Sequence, residues 1–360
     1  MSHPYAHSAT TLCHFVQYFH RHDFSNHFKF ERIAKEGRAM NLWPKDWDRH
    51  GDELQKLLKE FQSSPVETSN DSTSPSLSAA GYVNQIRENL ATAPVALDEH
   101  VEEIEINGVP CRVMIPNTKS QGVYLHFHGG GMVTGSASIA DVENRHLSNA
   151  FDLSVVSVDY RLAPEFPFPA GPDDCFAVAT WLLENSVAKF GTENLLIGGE
   201  SAGAYLAALT LLRVKESGGA AAVNRFLGAN LVFGVFDWSQ SPSQLGKRPI
   251  TDDFDVLSPE IIELMVELYL PGMGLEDRRD PSVSPTYADL RELVPAYFCV
   301  GSSDHLLDDT LFLANRWRVA GNSCEIDIFP RAPHAFTWFP SPYIELFMER
   351  RDAWFSEILA

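Results

Sequence analysis

The five residues Gly199-Glu200-Ser201-Ala202-Gly203 constrain this chain more than any other stretch. They follow the apolar run Leu195-Leu196-Ile197-Gly198 and precede the small, apolar run Ala204 to Leu212. Read in order this is a strand, a sharp turn and a helix, the setting in which a serine is held out on a strained elbow above a sheet. Side chains at 199 and 203 would strike the neighbouring strand or helix, which is why both are glycine. A bare G-x-S-x-G recurs by chance, but this one comes with partners. Upstream, His128-Gly129-Gly130-Gly131 follows the strand-like Val123 to Phe127. Downstream, Asp304 follows the apolar Tyr297 to Val300, and His334 follows Ile326 to Phe329. Each sits past a predicted strand, where open α/β sheets gather their chemistry.

These residues suit acyl transfer. A serine hydroxyl is too weak an acid to attack a carbonyl at neutral pH unless a histidine accepts its proton. Ser201 is the expected nucleophile, His334 the base, and Asp304 the group that fixes the imidazole tautomer. The chain order Ser, Asp, His is the one that accompanies such an elbow. Bare backbone at Gly130 and Gly131, with the N–H of Ala202, can cradle the oxyanion. His128, Gly129, Gly199, Glu200 and Gly203 support the motifs. Asp308 and Asp309 compete with Asp304, although the pattern puts them on the following helix. Among thirteen histidines, His126, His146 and His305 compete with His334; His126 reads as strand and His146 as helix, and neither follows the acid. Glu200 is expected to turn away from the substrate side. The glycine run lacks the Lys-Ser/Thr of a phosphate loop and the spacing of a dinucleotide fingerprint.

Strands are expected at 123–128, 154–159, 195–198, 230–235, 296–300 and 325–329, after a hairpin of 103–107 and 111–115 turning at Gly108. Helices at 140–150, 173–189, 202–216 and 308–320 alternate with them, and Ile344, Phe347, Met348, Phe355 and Leu359 mark a C-terminal helix. The class is α/β, with a mostly parallel sheet covered on both faces. The rhythm stops between Phe236 and Val294, where Ser258 and Pro259 open a separate helix with an apolar stripe of Ile261, Leu264, Met265 and Leu268. Before residue 100, Leu54, Leu57, Leu58 and Phe61 and then Tyr82, Val83, Ile86 and Leu90 follow helical spacing, around a Ser/Thr/Pro-rich loop at 63–78.

A net charge of −20 disfavours nucleic acid and anionic membranes. No apolar run is long enough to cross a bilayer, and the N-terminus lacks the pattern of a signal peptide. Cys13, Cys111, Cys175, Cys299 and Cys324 are odd in number and scattered, which speaks for a cytoplasmic location and against zinc. Six histidines in the first thirty residues show no metal-ligand spacing.

The whole set resembles the hormone-sensitive lipase family of α/β-hydrolase esterases. The resemblance rests on His128 to Gly131, Gly135-Ser136, Asp159 to Glu165, Phe168-Pro169-Ala170, Glu200 to Gly203, Asp280-Pro281, Ser284-Pro285, Asp304 and His334. It implies an α/β-hydrolase fold with an eight-stranded core and a helical cap. It divides the chain into cap (1–95), core (96–238), cap insertion (239–285) and core (286–360). It also implies a cofactor-free serine carboxylesterase for small-molecule esters, with a homodimer compatible with that reading. An amidase, lactonase or peptidase could use the same triad; a non-catalytic binding relative would have lost the histidine kept here. The chain departs from the family at several places: Glu200 stands where Asp or Thr is usual, Ala204-Tyr205 replaces the usual small-residue continuation, His305 stands where proline is common, and Ala335 replaces a glycine. Phe15, Phe19, Phe24, Phe28, Trp43 and Trp47 are expected to help wall a pocket suited to acyl chains of roughly two to eight carbons.

Overall fold

In the computed structural model of the protein, residues 42–63, 79–92, 100–247, 255–339 and 341–360 are described. The N-terminal histidines, Phe15 to Phe28 and nearly all of the loop expected at 63–78 lie outside them.

Eight strands form one sheet in the order β1-β2-β4-β3-β5-β6-β7-β8. They are β1 (Glu102–Ile106), β2 (Val109–Met114), β3 (Gly122–Phe127), β4 (Leu153–Val158), β5 (Leu195–Glu200), β6 (Phe226–Val232), β7 (Ala296–Gly301) and β8 (Cys324–Phe329). The first two pair antiparallel through a two-residue turn, with Asn107 at φ 51° and Gly108 at φ 81°. This is the left-handed pair that matches the twist of a hairpin. β2 runs antiparallel to β4, and every later pairing is parallel.

Alternate side chains of the buried strands go to opposite faces, as a period of two requires. Val123, Leu125 and Phe127 join Leu195 and Ile197 in one core, while Tyr124 and Leu196 enter the other. The first core lies beneath α4 (Ala170–Phe190) and α5 (Ala202–Val223), the second beneath α3 (Asp141–Phe151) and α8 (Pro342–Ile358). α7 (Leu307–Val319) puts Leu313 and Trp317 into the first core.

Three expectations shift. β6 starts four residues before the predicted strand and ends at Val232, because Phe233 adopts φ 36° and turns the chain out of the sheet. α5 is interrupted at Gly219, where φ 65° and ψ −169° kink the chain, and a further helical turn through Ala220 to Ala222 carries it to Val223. Leu57 is exposed, while Leu54 and Leu58 are buried.

Three helices lie apart from the βα alternation. α1 (Trp47–Ser63) packs on α8 and β8: Trp47 stacks on Phe329, and the hydroxyl of Tyr343 donates to the Trp47 carbonyl at 2.9 Å. α2 (Ala79–Thr92) instead meets α6 (Pro259–Tyr269). The start of α6 is capped as its sequence predicts, with the Ser258 hydroxyl accepting from the Ile261 N–H and proline in the first turn.

Candidate active site

The strand ends of β3, β5, β7 and β8 meet at one edge. Ser201 follows β5 directly, with φ 56° and ψ −116°, and its N–H donates to the Val232 carbonyl at 2.8 Å. A non-glycine residue in the left-handed region is strained, and the packing on either side holds it there. A Cβ on Gly199 or Gly203 would run into the Phe127 carbonyl oxygen, so the elbow closes only with glycine at both places.

His334 Nε2 lies 3.0 Å from Ser201 Oγ, and its Nδ1 lies 2.9 Å from Asp304 Oδ2. Since a carboxylate only accepts, the imidazole proton is on Nδ1 and the lone pair on Nε2 faces the hydroxyl. Asp304 is fully buried, and its other oxygen accepts from the Leu306 N–H at 2.8 Å. The ring of Phe233 meets His334 edge-on at 5.0 Å. Phe233, which sequence reasoning missed, thus braces the imidazole from the same turn that ends β6.

The rival acids do other work. Asp309 is buried and accepts from the N–H groups of Phe236 and Asp237, the Ser241 hydroxyl and the Gln244 amide. Burial raises its pKa to about 8. Asp308 accepts from the Ser243 N–H at 2.9 Å. Both therefore fold the loop after β6. The rival histidines are also engaged elsewhere. His146 pairs with Asp352 at 2.7 Å, His305 bridges the Ser243 carbonyl and Asp255, and His126 pairs with Glu200 at 3.1 Å.

Between β3 and α3, Gly130 (φ 122°) and Gly131 (φ 61°) adopt backbone that L side chains rarely enter. Among the described residues, the N–H groups of Gly130, Gly131 and Ala202 donate to no protein acceptor. Unclaimed donors in a mostly apolar cavity are poised for an anion. His128 does not enter the cavity. Its ring stacks on Tyr160 at 4.2 Å, its Nδ1 donates to the Gly129 carbonyl at 2.7 Å, and the Tyr160 hydroxyl donates to its carbonyl. Burial lowers the pKa of His128 to about 4, so the ring is neutral and holds the glycine loop in shape.

A cavity of about 110 Å³ opens onto Gly129 to Gly131, Ser201 and His334. Val83 and Ile86 of α2 and Ile261, Leu264 and Met265 of α6 close it, with Met265 lying directly over Gly131. Trp47 is buried against β8, on the opposite core. Tyr205 is buried in a cluster with Trp238 and Tyr269. Glu200, expected to turn away, lines the cavity. Among the described residues no group of three or more His, Cys, Asp and Glu side chains is arranged to hold a metal, and no helix is long and apolar enough to cross a membrane.

A family described by the alpha/beta hydrolase fold matches residues 124–338, more than half of the chain. The chain belongs to the hormone-sensitive lipase family of α/β hydrolases. It is 30% identical over 263 residues to a carboxylesterase, NlhH, of Mycobacterium tuberculosis, covering 69% of this chain and 80% of that one. The esterase LipI of the same organism is 29% identical over 267 residues, covering 71% and 81%. Among solved structures, a hormone-sensitive lipase from a metagenome library superposes with a TM-score of 0.69 at 29% identity, covering 86% of this chain and 98% of that chain. A bacterial esterase of the hormone-sensitive lipase family superposes with a TM-score of 0.66 at 26% identity, covering 87% and 99%.

Proposed function

We propose that this chain is a serine carboxylesterase for small esters, with Ser201, His334 and Asp304 as its catalytic residues. The observation that carries the reading is the unbroken line from Ser201 Oγ to His334 Nε2 (3.0 Å) and from His334 Nδ1 to Asp304 (2.9 Å), set on a left-handed elbow. The hydroxyl attacks the ester carbonyl as its proton passes to Nε2. The imidazolium stays paired with Asp304, which stabilises the charge without taking the proton. The N–H groups of Gly130, Gly131 and Ala202 receive the oxyanion of the tetrahedral intermediate. Collapse returns the proton to the departing alkoxide and leaves an acyl group on Ser201. Water then attacks, activated by the same imidazole, and releases the acid. The names of the relatives, a carboxylesterase and an esterase, support esters over amides or lactones.

The cap in this reading consists of α2, α6 and flanking chain, which supply the apolar wall over Ser201. The cavity of about 110 Å³ is small beside the several hundred cubic ångströms common for ligand pockets, roughly 300 Å³ and upward, so acyl groups at the short end of the expected range fit best. Because the side chains carry the proton chemistry, no metal or cofactor is needed. Free thiols at Cys111, Cys175, Cys299 and Cys324 support a cytoplasmic setting.

A panel of 4-nitrophenyl esters of graded acyl length, with matched anilides and lactones, tests the proposal. Turnover of the esters, falling as the acyl chain outgrows the cavity, is expected. Anilides or lactones turned over faster than every ester would overturn it.

A further inference from the structure

The cavity is apolar except at a few points, and one of them is a carboxylate. Glu200, at the end of β5 and next to the nucleophile, lines it with its side chain about one-fifth exposed. Leaving a carboxylate against apolar walls is unfavourable unless something holds it, and His126 does. Its Nε2 lies 3.1 Å from Glu200 Oε2, and the ring is itself buried in the sheet. The Asn144 side-chain amide donates to Nδ1 at 3.2 Å, and Ser157 Oγ stands 2.9 Å from the same nitrogen. An accepting Nδ1 keeps the proton on Nε2, the only tautomer a carboxylate can use. One oxygen of Glu200 is thereby fixed. The other has no protein donor among the described residues.

We propose that Glu200 is a specificity-determining residue, selecting esters that carry a hydrogen-bond donor or a positive charge near the scissile bond and rejecting anionic ones. The inference rests on the esterase reading and names a substrate class for the same site. The unclaimed oxygen can accept one hydrogen bond from substrate and offers nothing to a second carboxylate. Among the described residues no arginine or lysine lines the cavity to offset it. The anchoring also makes the glutamine variant informative. In Glu200→Gln the amide oxygen must take the His126 N–H, which leaves the NH2 group facing substrate and turns an acceptor into a donor.

The test compares kcat/KM, by pH-stat, across two matched sets in the wild type and Glu200→Gln. On the acyl side these are ethyl butyrate, ethyl 3-hydroxybutyrate and monoethyl succinate; on the alcohol side, propyl butyrate, 2-hydroxyethyl butyrate and butyryloxyacetate. In at least one set, the wild type should handle the anionic ester about tenfold less efficiently than the neutral reference. Glu200→Gln should close that gap by about tenfold, while the hydroxylated ester loses ground against the same reference. Ratios unmoved in a folded Glu200→Gln protein would overturn the assignment. So would a wild type that accepts both anionic esters as readily as the neutral ones, a result that needs no variant. Absence of turnover on every neutral ester would instead sink the esterase reading itself.

Discussion

Two buried histidine–carboxylate pairs adjoin Ser201, and they face the cavity in opposite order. In one, Asp304 is sealed in the core and His334 points outward at the serine hydroxyl. In the other, His126 is sealed in the sheet and Glu200 points outward at the apolar wall. Both contain the same two chemical groups about 3 Å apart. What differs is which end meets substrate. An outward imidazole can take and return a proton near neutral pH; an outward carboxylate can only accept hydrogen bonds and present charge. Their supports differ as well. Asp304 and His334 stand on loops past β7 and β8, whereas His126 lies within β3 and Glu200 ends β5. A pair built into strands suits recognition, because its position is fixed by the sheet.

The largest expected effects separate the pairs outright. Ser201→Ala and His334→Ala should each lower kcat by on the order of a million-fold, and the double variant by little more, because the two act as a unit. His126→Gln should leave most of the turnover intact, measured on the same neutral ester. A comparable collapse in that variant would erase the distinction drawn here. Next in size is Asp304→Asn, at roughly ten-thousand-fold through the wrong tautomer. Asp308→Asn should stay within about tenfold in activity, since among the described residues the Asp308 carboxylate accepts only from the Ser243 N–H.

Much of the candidate site can be assembled from the sequence. Ser201, Asp304 and His334 each follow an apolar run, and their order along the chain restricts which histidine can serve. The glycine requirement at 199 and 203 follows from crowding at a strand-to-helix turn, and the Phe127 carbonyl is what crowds it. Contacts between distant segments were not readable. Arg87 on α2 donates through Nε and Nη2 to the Val133 and Ala163 carbonyls and through Nη1 to both carboxylate oxygens of Glu165, 78 positions away. Nothing local to Arg87 announces those partners. Glu200 was misjudged for the same reason, because its direction is set by His126 on another strand. The helical spacing of α1 and α2 was plain in both, yet which surface each covers was not. α1 covers β8 and α8, while α2 covers the cavity.

Smaller effects sharpen the picture around the cavity. Arg87→Ala removes the clip between α2 and the chain beside the glycine loop. It should lower Tm by several degrees, for a loss of roughly 2 kcal/mol, and raise KM more than it lowers kcat. Arg87→Lys should restore little, because one ammonium cannot replace the three nitrogens that reach Val133, Ala163 and Glu165 at once. An Arg87→Ala protein with unchanged KM and Tm would leave α2 without its assigned anchor.

His128 adds a dependence on pH. An unfolded chain protonates this imidazole near its ordinary value of about 6.5, and the folded chain only near pH 4. Its contribution to stability is full above about 6.5 and is lost as pH falls towards 4, up to about 3 kcal/mol. The fall in Tm between pH 7 and 4 should therefore be shallower in His128→Asn than in the wild type. Parallel curves would mean that the buried ring takes up its proton without resistance.

The most direct measurement is the rate and site of phosphorylation by diethyl 4-nitrophenyl phosphate, followed by intact mass and peptide mapping. The wild type should take up a single group on Ser201, with activity lost in step. His126→Gln should be labelled at a similar rate, and His334→Ala only extremely slowly. Labelling away from Ser201, or a His334→Ala protein that reacts as fast as the wild type, would contradict the division of labour between the two pairs.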